Sequence, residues 1–90
     1  MNTFIFSQKA LKAFLKLTPR VQRRIETKLM ILKNHHHIYS ILKPVHQLKR
    51  VTHRLRIGGM RLLLKEQESD HLKRKTFLIV RLGDRRNIYR

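Results

Sequence analysis

His53-Arg54-Leu55-Arg56-Ile57-Gly58-Gly59-Met60-Arg61-Leu62-Leu63-Leu64-Lys65-Glu66 decides the fold of this 90-residue chain. Two apolar-alternating runs flank Gly58-Gly59, the setting for a two-residue turn with positive φ and hence for a β-hairpin. Such a turn fixes the register. Ile57 faces Met60, Leu55 faces Leu62, and His53 faces Leu64. Alternation sends Leu55, Ile57, Met60, Leu62 and Leu64 to a core face and Arg54, Arg56, Arg61 and Leu63 to the other. Arg56 then sits beside Arg61. Like charges directly opposite each other destabilise a sheet. A sequence that keeps such a cluster points to a multivalent anion, and the phosphate backbone of a nucleic acid fits best.

Working outward, Thr76–Leu82 is the next strand and the most apolar run. The expected parity puts Leu78, Val80 and Leu82 in the core and Phe77, Ile79 and Arg81 on the open face. Gln67–Lys75 reads as a polar loop. Gly83-Asp84 is expected to turn the chain into a short terminal strand at Asn87–Tyr89. On the N-terminal side, Thr3–Phe6 reads as a strand. Ser7 suits the N-cap of a helix running to about Leu17, with Ala10, Leu11, Phe14 and Leu15 at helical spacing. Thr18-Pro19 caps and starts a second helix, whose Val21, Ile25, Leu29 and Leu32 mark one face. Asn34 to about Arg50 has no firm pattern, although Leu42, Val45 and Leu48 suit a short packed turn. A strand over Val51–Ile57 leads into the hairpin. The order β-α-α-β-β-β defines an α+β domain over residues 1–90, with a helical hairpin on one face of a small, mainly antiparallel sheet.

Composition bounds the function. There are 22 Lys+Arg against 5 Asp+Glu, a net charge of +17. Glu26 and Glu66 bracket a stretch with nine basic residues and no acidic one. Self-repulsion at this level favours a nucleic acid or an acidic protein as partner. The chain has no cysteine, which excludes disulfides, thiolate metal sites and a cysteine nucleophile and fits a reducing cytoplasm. No apolar run approaches the roughly 20 residues of a membrane span, and no signal-peptide core opens the chain. His35-His36-His37 at a helix end reads as cationic capping rather than a metal site, because consecutive side chains cannot all face one ion.

Two stretches carry a family resemblance. Arg54-Leu55-Arg56-Ile57-Gly58-Gly59-x-Arg61, followed by Arg81-x-Gly83-x-Arg85-Arg86-x-x-Tyr89-Arg90, resembles the RelE/ParE superfamily of bacterial toxins. Within it, the RelE-like messenger-RNA endonucleases are the more similar branch. Phe6-Ser7 through Ala10, Phe14–Leu17 and Val21 resemble that family's first strand and helical pair.

The resemblance implies a type II toxin that cleaves messenger RNA in the ribosomal A site without metal or cofactor. The 2′-hydroxyl attacks its own phosphate, which inhibits translation and arrests growth. The implied partners are a cognate antitoxin, the ribosome and messenger RNA, with no membrane involved. Arg54 and Arg56 match the family's basic pair, Arg61 the arginine after the hairpin, Arg85 the arginine after the last turn, and Tyr89 the C-terminal aromatic. Lys49, Arg50, Arg81 and Arg86 are the further candidates for phosphate contact.

The basic pair is often lysine in the family. Arginine stabilises charge but is a poor base, so Tyr89 or His53 is left to move the proton, although parity turns His53 inward. Met60 and Leu64 replace aromatic residues, and Asp84 stands where a basic or imidazole side chain is frequent. The alternatives are a ParE-like DNA gyrase inhibitor and a catalytically degenerate member that only binds RNA or its antitoxin.

Overall fold

The computed structural model describes residues 1–68 and 74–84. The expected terminal strand at Asn87–Tyr89 lies outside them, as does most of the Gln67–Lys75 loop. The elements are β1 (Asn2–Phe6), α1 (Gln8–Leu15), α2 (Pro19–Lys33), a 3-10 turn (Ile38–Ser40), β2 (Lys43–Pro44), β3 (His53–Ile57), β4 (Met60–Gln67) and β5 (Lys75–Asp84). The sheet order is β1-β5-β4-β3-β2. β1 runs parallel to β5, and every other pair is antiparallel. This is the expected α+β architecture with one short strand added. The two-residue β2 has no hydrophobic alternation to betray it; only its pairing with His53 and Arg54 makes it a strand.

Local chemistry sets the helix ends. Ser7 Oγ accepts from the Ala10 amide at 3.0 Å and donates to the Val80 carbonyl at 3.0 Å. The cap therefore also ties α1 to β5. Thr18 Oγ1 accepts from Val21, and Pro19 begins α2. At the far end of α2, the buried Asn2 amide donates to the carbonyls of Leu32 and His35 at 2.8 and 2.9 Å. This side chain of β1 thereby ties the end of α2 and the residues just past it to the sheet. The core joins Ala10 and Phe14 of α1 and Ile25 and Leu32 of α2 to Leu55, Ile57, Leu62, Leu64, Phe77, Ile79 and Leu82 of the sheet.

β5 departs from the expected parity. Phe77 and Ile79 are fully buried in the core, while Leu78 and Val80 are only half-buried. The cause is a bulge. Leu64 pairs with Ile79 but Leu63 pairs with Arg81, so Val80 is the extra residue. Period-two counting back from Leu82 slips by one residue at a bulge. The carbonyls of Ile79 and Val80 both accept from Ser7, from its amide and its hydroxyl, so neither is left unpaired. Arg81 keeps its expected place on the open face, opposite Leu63. Gly83-Asp84 is not a turn: Gly83 pairs with Arg61 and Asp84 with Met60, extending β5.

The turn itself separates its two glycines. Gly58 has φ +59, and a Cβ there would meet the Arg24 guanidinium at 2.9 Å, whereas one at Gly59 would meet nothing within 4 Å. Gly58→Ala should therefore lower stability by about 1–2 kcal/mol, the cost of a left-handed residue with a side chain. Gly59→Ala should be near neutral. Urea unfolding of both variants checks this; equal midpoints would contradict it.

Candidate nucleic-acid interface

Sheet pairing builds the open face from rows. Cα partners on neighbouring strands share a face, so Lys43, Arg54, Leu63 and Arg81 form one row across β2, β3, β4 and β5. Arg56, Arg61 and Gly83 form the next, and Gly83 puts no side chain beside Arg61. Strands lie about 4.8 Å apart, so Arg54 and Arg81 stand roughly 10 Å apart across Leu63.

Leu63 is 1% exposed although it lies on the open face. It forms a second small core with Val51, Val45 and Leu48, from the loop between β2 and β3. Of the apolar residues expected to pack before β3, Leu42 thus joins the main core while Val45 and Leu48 cross to the other side. The loop is held by Val45 N–H to the Thr52 carbonyl at 2.9 Å and Thr52 N–H to the Leu64 carbonyl at 2.8 Å. Lys49 and Arg50 are exposed on this loop, and Arg50 is left-handed at φ 61.

Three depressions follow the cations. One of about 170 Å³ brings Lys28 of α2 and Lys43 together with Arg54, Arg56 and Arg61. A second, about 500 Å³, lies under the β2–β3 loop and again includes Arg54 and Arg61, with His46. A third, about 590 Å³, runs between α2 and the end of β3 and is lined by Arg20, Arg23, Arg24, Lys28 and Arg56. No carboxylate lines any of the three among the described residues. Shared walls make them one cationic band from α2, over the β2–β3 side of the sheet, to the loop. Such a band suits an extended anion.

Of the residues singled out in the sequence, Arg54, Arg56 and Arg61 are thus brought into one cavity, Arg81 stands two strands from Arg54, and Lys49 and Arg50 border the face. Arg85, Arg86 and Tyr89 lie outside the described residues. His53 faces the core side. Its Nδ1 is 2.9 Å from Thr52 Oγ1, and its ring packs against Tyr39 and Phe77. Lys28, Lys43 and His46 also line these cavities, and no local pattern in the chain places them there. The helical spacing Arg20-Arg24-Lys28 marks one stripe of α2, but nothing local says which strand edge it meets. No group of three or more potential metal ligands occurs among the described residues. No helix among them is long and apolar enough to cross a membrane.

Tyr39 bridges the 3-10 turn to the sheet. Its hydroxyl donates to Glu66 Oε1, and Lys75 Nζ lies 5.0 Å from the ring centre. Burial first, then the hydrogen bond to Glu66 and its negative charge, push the phenol up to about 12. The folded phenol therefore holds its proton more tightly than an unfolded one, which titrates near 10. The resulting stabilisation is complete below about pH 10 and is lost as pH rises through about 12. Tyr39→Phe should remove this part of the alkaline stability loss. Unfolding curves between those pH values test it, and superimposable pH profiles would refute it.

The fold and this face define a small α+β protein that presents a cationic sheet surface. A structure with the same fold is a chain of the RelBE2 toxin–antitoxin complex of Mycobacterium tuberculosis, with a TM-score of 0.66 and 24% identity over 92% of this chain and 96% of that one. No protein-family model and no curated protein sequence matches the chain. The RelE-like fold expected from the hairpin and the helical pair is therefore the observed one.

Proposed function

We propose that this chain is the toxin of a toxin–antitoxin pair and a metal-independent endoribonuclease that cleaves translated messenger RNA on the ribosome, in the cytoplasm. The observation that carries the reading is the convergence of Lys28, Lys43, Arg54, Arg56 and Arg61 on one small cavity at the edge of β3. Phosphoryl transfer within RNA needs little covalent help from a protein. It needs fixed positive charge where the phosphorane's charge develops, in a geometry set before the substrate arrives. Arginines held in register by a β-hairpin meet that need. Arg54, Arg56 and Arg61 are assigned to the scissile phosphate. Lys49, Arg50 and Arg81 are assigned to flanking phosphates, and Arg85, Arg86 and Tyr89 keep the roles the resemblance implies.

The antitoxin partner is supported by the fold's likeness to a chain of a toxin–antitoxin complex. Leu11 and Leu15 on α1 and Met30 and Ile31 on α2 are exposed apolar side chains that an amphipathic, acidic segment would cover.

Primer extension on a message being translated, with and without the protein, tests the reading. New 5′-ends within the coding region are expected on messages being translated and not on the same messages without ribosomes. A ParE-like protein would instead leave messages intact and block gyrase supercoiling. A degenerate binder would do neither.

A further inference from the structure

Attack by a 2′-hydroxyl needs a group that accepts its proton, and the arginines of the face do not supply one. Three candidate acceptors among the described residues are engaged elsewhere. His53 lies on the core side, bonded to Thr52 and packed on Phe77. The Tyr39 hydroxyl is committed to a hydrogen bond with Glu66. His35 Nδ1 accepts from the His37 amide at the end of α2.

His46 is placed differently. It is exposed on the loop between β2 and β3 and shares the cavity of about 500 Å³ with Arg54 and Arg61. Its loop is not free to wander, because Val45 and Leu48 on either side pack against the buried Leu63 beneath. The charged groups facing it in the cavity are Arg54 from β3 and Arg61 from β4. Lys43, Lys49 and Arg50 flank it along its own segment.

We infer that His46 is the proton-carrying side chain of this face, held over the arginine pair by the β2–β3 loop. The inference rests on the ribonuclease reading above and gives His46 the proton transfer that the sequence left to Tyr89 or His53, with Tyr89 keeping only the part of a C-terminal aromatic that meets RNA. The imidazole takes the proton from the 2′-hydroxyl as the O2′–P bond forms. Arg54 and Arg61 hold the charge on the phosphorane. The P–O5′ bond then breaks, the 5′-oxygen takes a proton from water, and the imidazolium returns its own to solvent. The products are a 2′,3′-cyclic phosphate and a 5′-hydroxyl.

The test uses the full chain and His46→Ala, with His46→Gln as the conservative variant. Ribosome binding and message cleavage are measured across pH 5 to 8, where histidine changes charge. Wild-type cleavage should rise with pH through this range. His46→Ala should bind ribosomes as the wild type does, cleave roughly 10²–10³-fold more slowly at neutral pH, and lose the pH dependence. Free imidazole should restore part of the rate. A His46→Ala variant that cleaves within a few-fold of wild type, or keeps the wild-type pH profile, overturns the inference and leaves the ribonuclease reading standing. Loss of binding in proportion to cleavage also overturns it, since His46 would then only hold RNA. A wild-type protein that never cleaves overturns the ribonuclease reading itself, and this inference with it.

Discussion

Arg61→Ala should lower message cleavage by roughly 10²–10³-fold and release cells from growth arrest, the size expected when one fixed donor to a developing anion is removed. Arg61, like Arg54, lines both the cavity with Lys28 and Lys43 and the one under the β2–β3 loop. It also pairs directly with Arg56, so its removal breaks a two-arginine row rather than one peripheral contact. Its neighbours Leu62 and Leu64 point into the core and are untouched by the change, so the variant should still fold. Arg61→Lys separates charge from geometry, because lysine keeps the charge and loses the planar fork. An intermediate cleavage rate is expected for it. Cleavage by purified protein, read beside a thermal melt, checks both variants. Wild-type cleavage and arrest by a folded Arg61→Ala protein would remove Arg61 from the site.

Affinity for ribosomes should fall steeply with salt. Eight cations border the proposed path: Lys28, Lys43, Lys49, Arg50, Arg54, Arg56, Arg61 and Arg81. If about six of them engage phosphates, the log–log slope is roughly −4 to −5, and raising salt from about 50 to 200 mM costs ~10³-fold in affinity. The effect is large because each phosphate contact releases condensed counterions, and among the described residues no carboxylate lines the three cavities. Replacing Lys28 or Lys43 by Ala should each reduce the slope by about one contact's share, roughly 0.7–0.9. A flat salt response would mean that the cationic band is a solvated surface.

Much of the fold was legible because its signals are local. Gly58-Gly59 between alternating runs fixes the hairpin register, and every expected pair across it is observed, from Ile57↔Met60 to His53↔Leu64. Ser7 and Thr18-Pro19 mark helix starts through bonds to amides three residues away. A cationic face followed from charge and strand parity. What failed was parity in β5, where one extra residue at Val80 reversed the faces of Phe77, Leu78 and Ile79. A bulge costs little locally and is stabilised here by Ser7, more than seventy residues earlier in the chain.

The site divides in the same way. That Arg54, Arg56 and Arg61 share a face follows from local pattern alone, because a two-residue turn leaves no freedom in register. Lys28, Lys43 and His46 join them through long-range packing. Lys28 reaches the edge of β3 because the main core seats α2 against the sheet. Lys43 arrives because a two-residue strand pairs there. His46 does so because Val45 and Leu48 bury Leu63 on the face opposite the main core. Each of these placements is set by burial against residues distant in sequence. Hydrophobic burial is non-directional, so no short-range pattern in the chain encodes it.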